Sequence, residues 1–257
     1  MGEFKSWRSY WEFCHAITQR TRYVHEPEVE QFLDAVLATH QSRVEIMPAG
    51  AMLWRAQLGY ELWHSDEGDD QTGEEPFPFS QKRMKPIPGC AREGRVNPKG
   101  IAYLYLATHR DTALAEVRPW MGSLISVGQF RVKRDLTIVN CTTDEKSRHL
   151  FFEEPAAQQR ETAVWYDVDE ALARPVNLSD DGADYAPTQV LAELFRVKVN
   201  GCDGIAYRSS LGEGHNIALF DLDLADLVNC TPFEAKRISY DFKQAGNPYF
   251  VRDSNEV

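Results

Sequence analysis

Alternation of apolar and polar positions organises the middle of the chain. From Met52 to Leu58, Met52, Trp54, Ala56 and Leu58 share one face and Leu53, Arg55 and Gln57 the other, which predicts a strand, taken as the first of a sheet. Over residues 101–107, Ile101, Tyr103, Tyr105 and Ala107 line one face and Leu104 and Leu106 the other. A strand apolar on both faces is central in its sheet. Thr108 followed by Asp111 fits a capping box, so a short helix carrying Glu116 follows and Pro119 ends it. The β-rich runs at 123–130 and 136–140, broken at 133–135, predict a hairpin or adjacent strands. Two further short strands, 204–208 and 216–221, flank a Ser-Leu-Gly-Glu-Gly-His turn.

The period changes to helical elsewhere. Trp7, Tyr10, Trp11, Cys14 and Ile17 recur at helical spacing within residues 6–24, and Pro27 opens a second helix striped by Val29, Phe32, Leu33, Val36 and Leu37. These predict an N-terminal helical hairpin over residues 1–43, its aromatic stripe serving core packing or a partner surface rather than a cofactor. Residues 147–174 read as a helical insertion. Thr188 is placed as the cap of a helix running to about Val199, with Leu191, Leu194 and Phe195 inward and Gly201 at its end. The pattern gives an α+β class: a mixed, largely antiparallel sheet flanked by helices in a domain over residues 44–231, with a polar, peripheral tail over 232–257.

Residues 59–94 lack either period. The first part, 64–75, holds six acids and no base, at a spacing unlike a calcium loop. The second part holds Lys82, Arg83, Lys85 and Arg92, with Arg95 just beyond it, among prolines and glycines. It reads either as a solvated loop or as a flap over an anionic ligand. The net charge of −11 argues against direct binding of nucleic acid or of an anionic membrane, though not against a local basic site. The five cysteines are scattered, with no CxxC pair and no metal-ligand spacing, as in a reduced cytosolic protein without a metal centre. The N-terminal residues lack the apolar core of a secretory signal, and no run reaches membrane-spanning length, so a cytoplasmic location is expected.

No GxSxG elbow, HExxH, P-loop or GxGxxG after a strand occurs. On spacing alone, residues 94–118 describe a core strand with two buried tyrosines followed by a helix with a solvated Glu. The stretch also resembles the core of the RES-domain family, named for its Arg, Glu and Ser. Three other segments continue the resemblance in order: Leu-Trp-Arg-Ala at 53–56; Tyr-Ala-Pro-Thr-Gln at 185–189 with Glu193; and Asp-Gly-Ile-Ala-Tyr-Arg-Ser-Ser at 203–210 followed by His-Asn-Ile-Ala-Leu-Phe at 215–220. It covers about residues 44–225.

The resemblance implies a fold like that of ADP-ribosyltransferases and a toxin that consumes NAD as substrate, by hydrolysis or phosphorolysis, restrained by an antitoxin protein. Some members instead modify a protein by ADP-ribosylation, and a non-catalytic nucleotide-binding or interaction module is the remaining alternative. Homo-oligomerisation stays open. By the same resemblance Glu116 is the catalytic carboxylate, Arg55 a phosphate or ribose contact and Ser209 the ribose-positioning hydroxyl. Tyr105 stacks on the substrate, with Tyr103 on the same strand face, and Arg95 and Asn216 are further substrate contacts. Ser209 and Ser210 point to opposite faces of a strand, and the motif favours Ser209. These residue types suit cleavage of the nicotinamide–ribose bond. The leaving group is already cationic, and a carboxylate near the ribose stabilises the oxocarbenium-like transition state.

Overall fold

The computed structural model describes residues 2–63, 75–144, 150–175, 182–239 and 241–249. Residues 64–74, nearly all of the acidic segment, lie outside the described residues.

Two helices open the chain, α1 (Ser9–Gln19) and α2 (Pro27–Thr39), the second started by its proline. The strands are β1 (Val44–Met47), β2 (Met52–Leu58), β3 (Glu61–Trp63), β4 (Glu75–Phe77), β5 (Leu104–Ala107), β6 (Leu124–Val132), β7 (Leu136–Asn140), β8 (Cys202–Arg208), β9 (His215–Leu219) and β10 (Ala225–Glu234). The remaining helices are α3 (Gln81–Met84), α4 (Arg110–Glu116), α5 (Ala157–Ala173) and α6 (Ala186–Lys198). Eight strands form one sheet in the order β1-β7-β8-β9-β5-β2-β6-β10, in which only the β7–β8 pairing is parallel; β3 and β4 make a separate pair. The class is therefore α+β, with a mixed, largely antiparallel sheet and N-terminal helices. As expected of its two-sided apolar pattern, β5 is central, between β9 and β2.

The runs at 123–130 and 136–140 do not form a hairpin. They are consecutive parts of one bent strand line. β1 pairs with β7 from Val44 opposite Val139 to Met47 opposite Leu136, and β2 pairs with β6 in the same register from Met52 opposite Arg131 to Leu58 opposite Ile125. The ladder bends where residues 48–51 face 133–135. At that corner the Gly50 amide donates to the Val132 carbonyl, the Val132 amide to the Ala51 carbonyl, and the Ala49 amide to Asp135 Oδ1. Arg134 forks onto Asp203 at 2.9 and 2.6 Å, and Asp203 also accepts the Thr137 amide. Lys-Arg-Asp looked like a turn because it is polar, yet it turns the strand aside without reversing it. β2 is accordingly not the first strand; β1 precedes it and lies at the far edge.

One apolar cluster unites Tyr10, Phe13 and Ile17 of α1 with Phe32 of α2, Trp165 of α5, Phe195 of α6 and Ile205 of β8. Phe13 and Phe32 stack at 4.5 Å, a contact of about 1 kcal/mol beyond the area it buries. A second cluster gathers Leu53, Leu104, Leu106, Phe130 and Leu219 around Met84. The third, Ala56, Ala107, Ala113, Ile125 and Val127, seats α4 over the join of β5 and β2.

Both predicted threonine caps are elsewhere engaged. His109 stands at the N-cap of α4 without a side-chain cap, while Thr108 Oγ1 accepts the His215 amide. The helix assigned to Thr188 begins two residues earlier at Ala186, because Pro187 suits the first turn; Thr188 Oγ1 reaches the Arg95 carbonyl at 2.5 Å. Leu194 is only partly buried against the core, and Gly201, at φ 72°, supplies the left-handed turn after α6.

Candidate active site

Three elements deliver one polar cluster. α4 places Glu116 in its last turn, β9 places Asn216 at its second position, and Ser209 directly follows β8. Glu116 Oε1 accepts from Ser209 Oγ at 2.8 Å and from Asn216 Nδ2 at 2.7 Å. Ser209 Oγ in turn accepts the Leu211 amide at 3.1 Å. Ser209 and Asn216 are buried and Glu116 is exposed, so two fixed donors hold a carboxylate that solvent can reach. Ser210 is exposed and lines the cleft beside Glu116, whereas the buried Ser209 reaches that cleft only through its bond to Glu116.

The loop between β8 and β9 is fastened onto α4, which keeps these elements in step. Thr108 and His215 exchange a bond through the Thr108 amide and the His215 carbonyl, and Thr112 Oγ1 donates to the Glu213 carbonyl. Gly214, at φ 78°, has no room for a Cβ against the side chains of Thr108 and His109.

Glu116 and Asn216 lie in the wall of a cleft of ≈ 290 Å³ together with Tyr207 and Arg95, Arg118, Arg174 and Arg208. Four guanidinium groups and one carboxylate make a basic site in an acidic chain. Arg208 is also bound to Asp169 at 3.3 Å and to Glu170. Burial pushes the Tyr207 phenol well above its ordinary value, with the charge of Glu116 acting in the same direction, so the ring stays neutral.

Arg95 is held by its backbone as well as its side chain. Gln189 Nε2 donates to the Gly94 and Asn97 carbonyls at 2.8 and 3.1 Å, and Thr188 binds the Arg95 carbonyl. Arg95 Nη1 donates to the Ala171 carbonyl at 2.9 Å. The Tyr105 hydroxyl donates to Asn97 Oδ1 at 2.6 Å, and Asn97 Nδ2 donates to three carbonyls of the same turn. Tyr105 therefore anchors the Arg95 turn, and burial raises its phenol pKa.

The other predicted residues lie apart from the cleft wall. Arg55 shares the face of Leu53 and Phe130, opposite that of Ala56 and Val127, which pack on α4. It sits where β2 and β5 pair only through Trp54 and Ala107, and its Nη1 donates to the Tyr105 carbonyl at 2.9 Å. Burial lowers its pKa to about 10, so it remains cationic at neutral pH. Tyr103 is buried against Phe220 beneath Arg196. Sequence reasoning missed Tyr207, Arg118, Arg174 and Arg208. Tyr207, Arg208 and Arg118 stood inside recognised segments; Arg174, at the end of α5, carried no signal, because the cleft joins segments distant in the chain.

Among the described residues, no group of three or more His, Cys, Asp or Glu could hold a metal ion, and no helix is long and apolar enough to cross a membrane.

The fold and site define a class: an α+β protein with an arginine-lined cleft around one hydrogen-bonded carboxylate. The family follows from the sequence comparison, in which the RES domain matches residues 53–242; the chain belongs to the RES-domain family. Among solved structures, a chain of the crystal structure of the M. tuberculosis MbcT-MbcA toxin-antitoxin complex is similar over 79% of this chain and 94% of its own, with 16% identity and a TM-score of 0.42. That likeness is too loose to bear on function. No curated protein matches the chain.

Proposed function

We propose that this RES-domain protein cleaves the nicotinamide–ribose bond of NAD. The observation that carries the reading is Glu116, fixed by Ser209 and Asn216 in the wall of a cleft lined with arginines. A dinucleotide brings a pyrophosphate, which guanidinium groups bind well, and a ribose whose developing positive charge a fixed carboxylate stabilises.

In the reaction the bond between the ribose C1 and the nicotinamide nitrogen breaks, and nicotinamide leaves with the electron pair as a neutral molecule. No strong general acid is needed. Water or phosphate then forms the new bond to C1, with loss of a proton in the case of water. Glu116 stabilises the oxocarbenium-like state and orients the ribose, while Ser209 and Asn216 keep its carboxylate in place. Arg95 and Arg174 take the pyrophosphate, and Tyr207 presents its ring to the cleft. Arg55 acts as a positioning residue at the join of β2 and β5. An enzyme that drains a shared cofactor needs restraint, so a protein inhibitor that covers this cleft is part of the proposal.

The test is incubation of purified protein with NAD, with and without inorganic phosphate, and identification of products by mass. Nicotinamide with ADP-ribose means hydrolysis, and a phosphorylated ADP-ribose that needs phosphate means phosphorolysis. Nicotinamide release only with added lysate, accompanied by a mass shift on a protein, would make the chain a protein ADP-ribosyltransferase. Intact NAD throughout would overturn the reading in favour of a binding module.

A further inference from the structure

The aromatic stripe of α1 is not wholly consumed by core packing. Trp7, Tyr10 and Ile17 are buried, but Trp11 is 63% exposed, its indole stacked on His15 at 6.3 Å. An exposed indole loses its contact with apolar neighbours, so its position matters. Trp11 and His15 border a cleft of ≈ 350 Å³ whose other walls include Arg95, Arg174, Asp184 and Tyr185. Arg95 and Arg174 also line the cleft of Glu116, so the two cavities share a pair of cationic residues at their boundary. The Arg95 guanidinium lies over the Tyr185 ring, 5.4 Å from its centre. The cleft beside Trp11 falls in the size range of a small-ligand pocket and that of Glu116 lies at its lower edge.

We infer that the cleft between α1 and Tyr185 is the subsite for the adenosine half of the dinucleotide, with Trp11 as a stacking surface for the base and Asp184 as an acceptor for ribose hydroxyls. This rests on the proposed cleavage of NAD at Glu116. The geometry orders the ligand: nicotinamide ribose at Glu116, pyrophosphate at the shared arginines, adenosine beyond them. A base stacks on an indole without regard to sequence or edge, and an acidic side chain near a ribose accepts its hydroxyls and disfavours a 2′-phosphate. Burial pushes the Cys14 thiol in the same wall up to about 12, which leaves it a passive surface there. Trp11 precedes the region that matches the RES domain, residues 53–242, so this wall is contributed by the helical hairpin of this chain.

The experiment uses the full chain and three substitutions at exposed positions: Trp11→Ala, Asp184→Ala and, as a control, Tyr23→Ala, whose ring is 90% exposed and borders neither cleft. Binding of ADP-ribose is measured by calorimetry, and turnover is measured with NAD and with nicotinamide mononucleotide, which lacks the adenylate half. Trp11→Ala is expected to weaken ADP-ribose binding about tenfold. It should raise KM for NAD to a similar extent while leaving kcat/KM for the mononucleotide unchanged. Asp184→Ala should weaken ADP-ribose binding and narrow a preference for NAD over NADP, and Tyr23→Ala should change nothing. Unaltered ADP-ribose binding in both Trp11→Ala and Asp184→Ala would overturn the subsite, as would equal losses with NAD and the mononucleotide. ADP-ribose binding that depends on Trp11 without any cleavage of NAD would uphold the subsite and sink the catalytic reading.

Discussion

Replacing Glu116 by Gln isolates the charge from the hydrogen bonds. The Gln amide oxygen accepts from Ser209 Oγ and Asn216 Nδ2 as Oε1 does now, at 2.8 and 2.7 Å. Glu116 is exposed, so the new amide nitrogen finds water and no buried group is left without a partner. The thermal midpoint should therefore move by no more than a degree or two. The transition state is affected far more. A unit negative charge about 4 Å from the developing ribose cation contributes about 4 kcal/mol at an effective dielectric of about 20. Loss of that contribution corresponds to about a thousandfold in kcat. KM should rise by a smaller factor, because the nicotinamide ring is already cationic in the ground state and also feels the carboxylate, whereas positive charge reaches the ribose only in the transition state. Glu116→Ala makes the comparison: it strands the buried Ser209 hydroxyl and Asn216 amide, at a cost of about 1–3 kcal/mol in stability on top of the loss in rate. The assay is nicotinamide release from NAD under saturating substrate, alongside a melt of each variant. A Glu116→Gln protein that melts normally and retains more than a tenth of the wild-type kcat would refute the electrostatic role of the carboxylate.

Three further outcomes follow from the structure. Asp203→Ala removes a carboxylate that accepts from Arg134 twice and from the Thr137 amide, so denaturant unfolding should show a loss of about 2 kcal/mol; an unchanged midpoint would mean that the corner does not depend on this clamp. The buried Asp169 titrates above its ordinary value of 3.8, raised by burial and opposed by Arg208 and the Thr143 amide. The folded state thus holds this proton to higher pH than the unfolded chain, and stability is lost as pH rises from 3.8 through the folded value. The difference in stability between wild type and Asp169→Asn should shift against wild type over that window, and a pH-independent difference would contradict the sign. Among the cysteines, Cys90 is exposed, while burial pushes the thiols of Cys14 and Cys141 up to about 12 and those of Cys202 and Cys230 to about 11. Iodoacetamide at mildly alkaline pH should label Cys90 first, as peptide mass analysis would show; earlier labelling of Cys141 would contradict its burial.

Much of the fold is visible in local pattern, because it depends on which face of an element is apolar. The strand at Met52–Leu58, the proline start of α2, the central place of β5 and the helix over part of 147–174 all have that origin. What the pattern hides is pairing. Polar residues at 133–135 read the same whether a strand reverses or bends, and the shared register of β1–β7 and β2–β6 is a property of two distant segments. The threonines show the same limit. Thr108 and Thr188 have the residue type of a cap, but each has a better partner elsewhere, the His215 amide and the Arg95 carbonyl. Glu116, Ser209 and Asn216 were legible through resemblance to a family motif, whereas Arg174 joins the site only because the end of α5 closes on the cleft.

The bend in the ladder also accounts for where the site lies. A continuous flat sheet would pair β2 with β5 along their length and leave no interruption. Here the two meet through Trp54 and Ala107 alone, and the Arg55 guanidinium takes the Tyr105 carbonyl at the join. α4 is seated over that join by Ala113 against Ala56, Ala107 and Val127, and so its last turn overhangs the ends of β8 and β9. The position of Glu116 is then decided by small residues that let the helix approach closely, and the positions of Ser209 and Asn216 by the loop fastened to Thr108 and Thr112. On the other side of the cleft, Tyr105, Thr188 and Gln189 grip the turn that carries Arg95. The carboxylate and the arginines are thus held by separate sets of contacts. Substitution at Thr188 or Gln189 should disturb pyrophosphate binding through Arg95 while leaving the bonds of Ser209 and Asn216 to Glu116 in place, so the two halves of the site can fail independently.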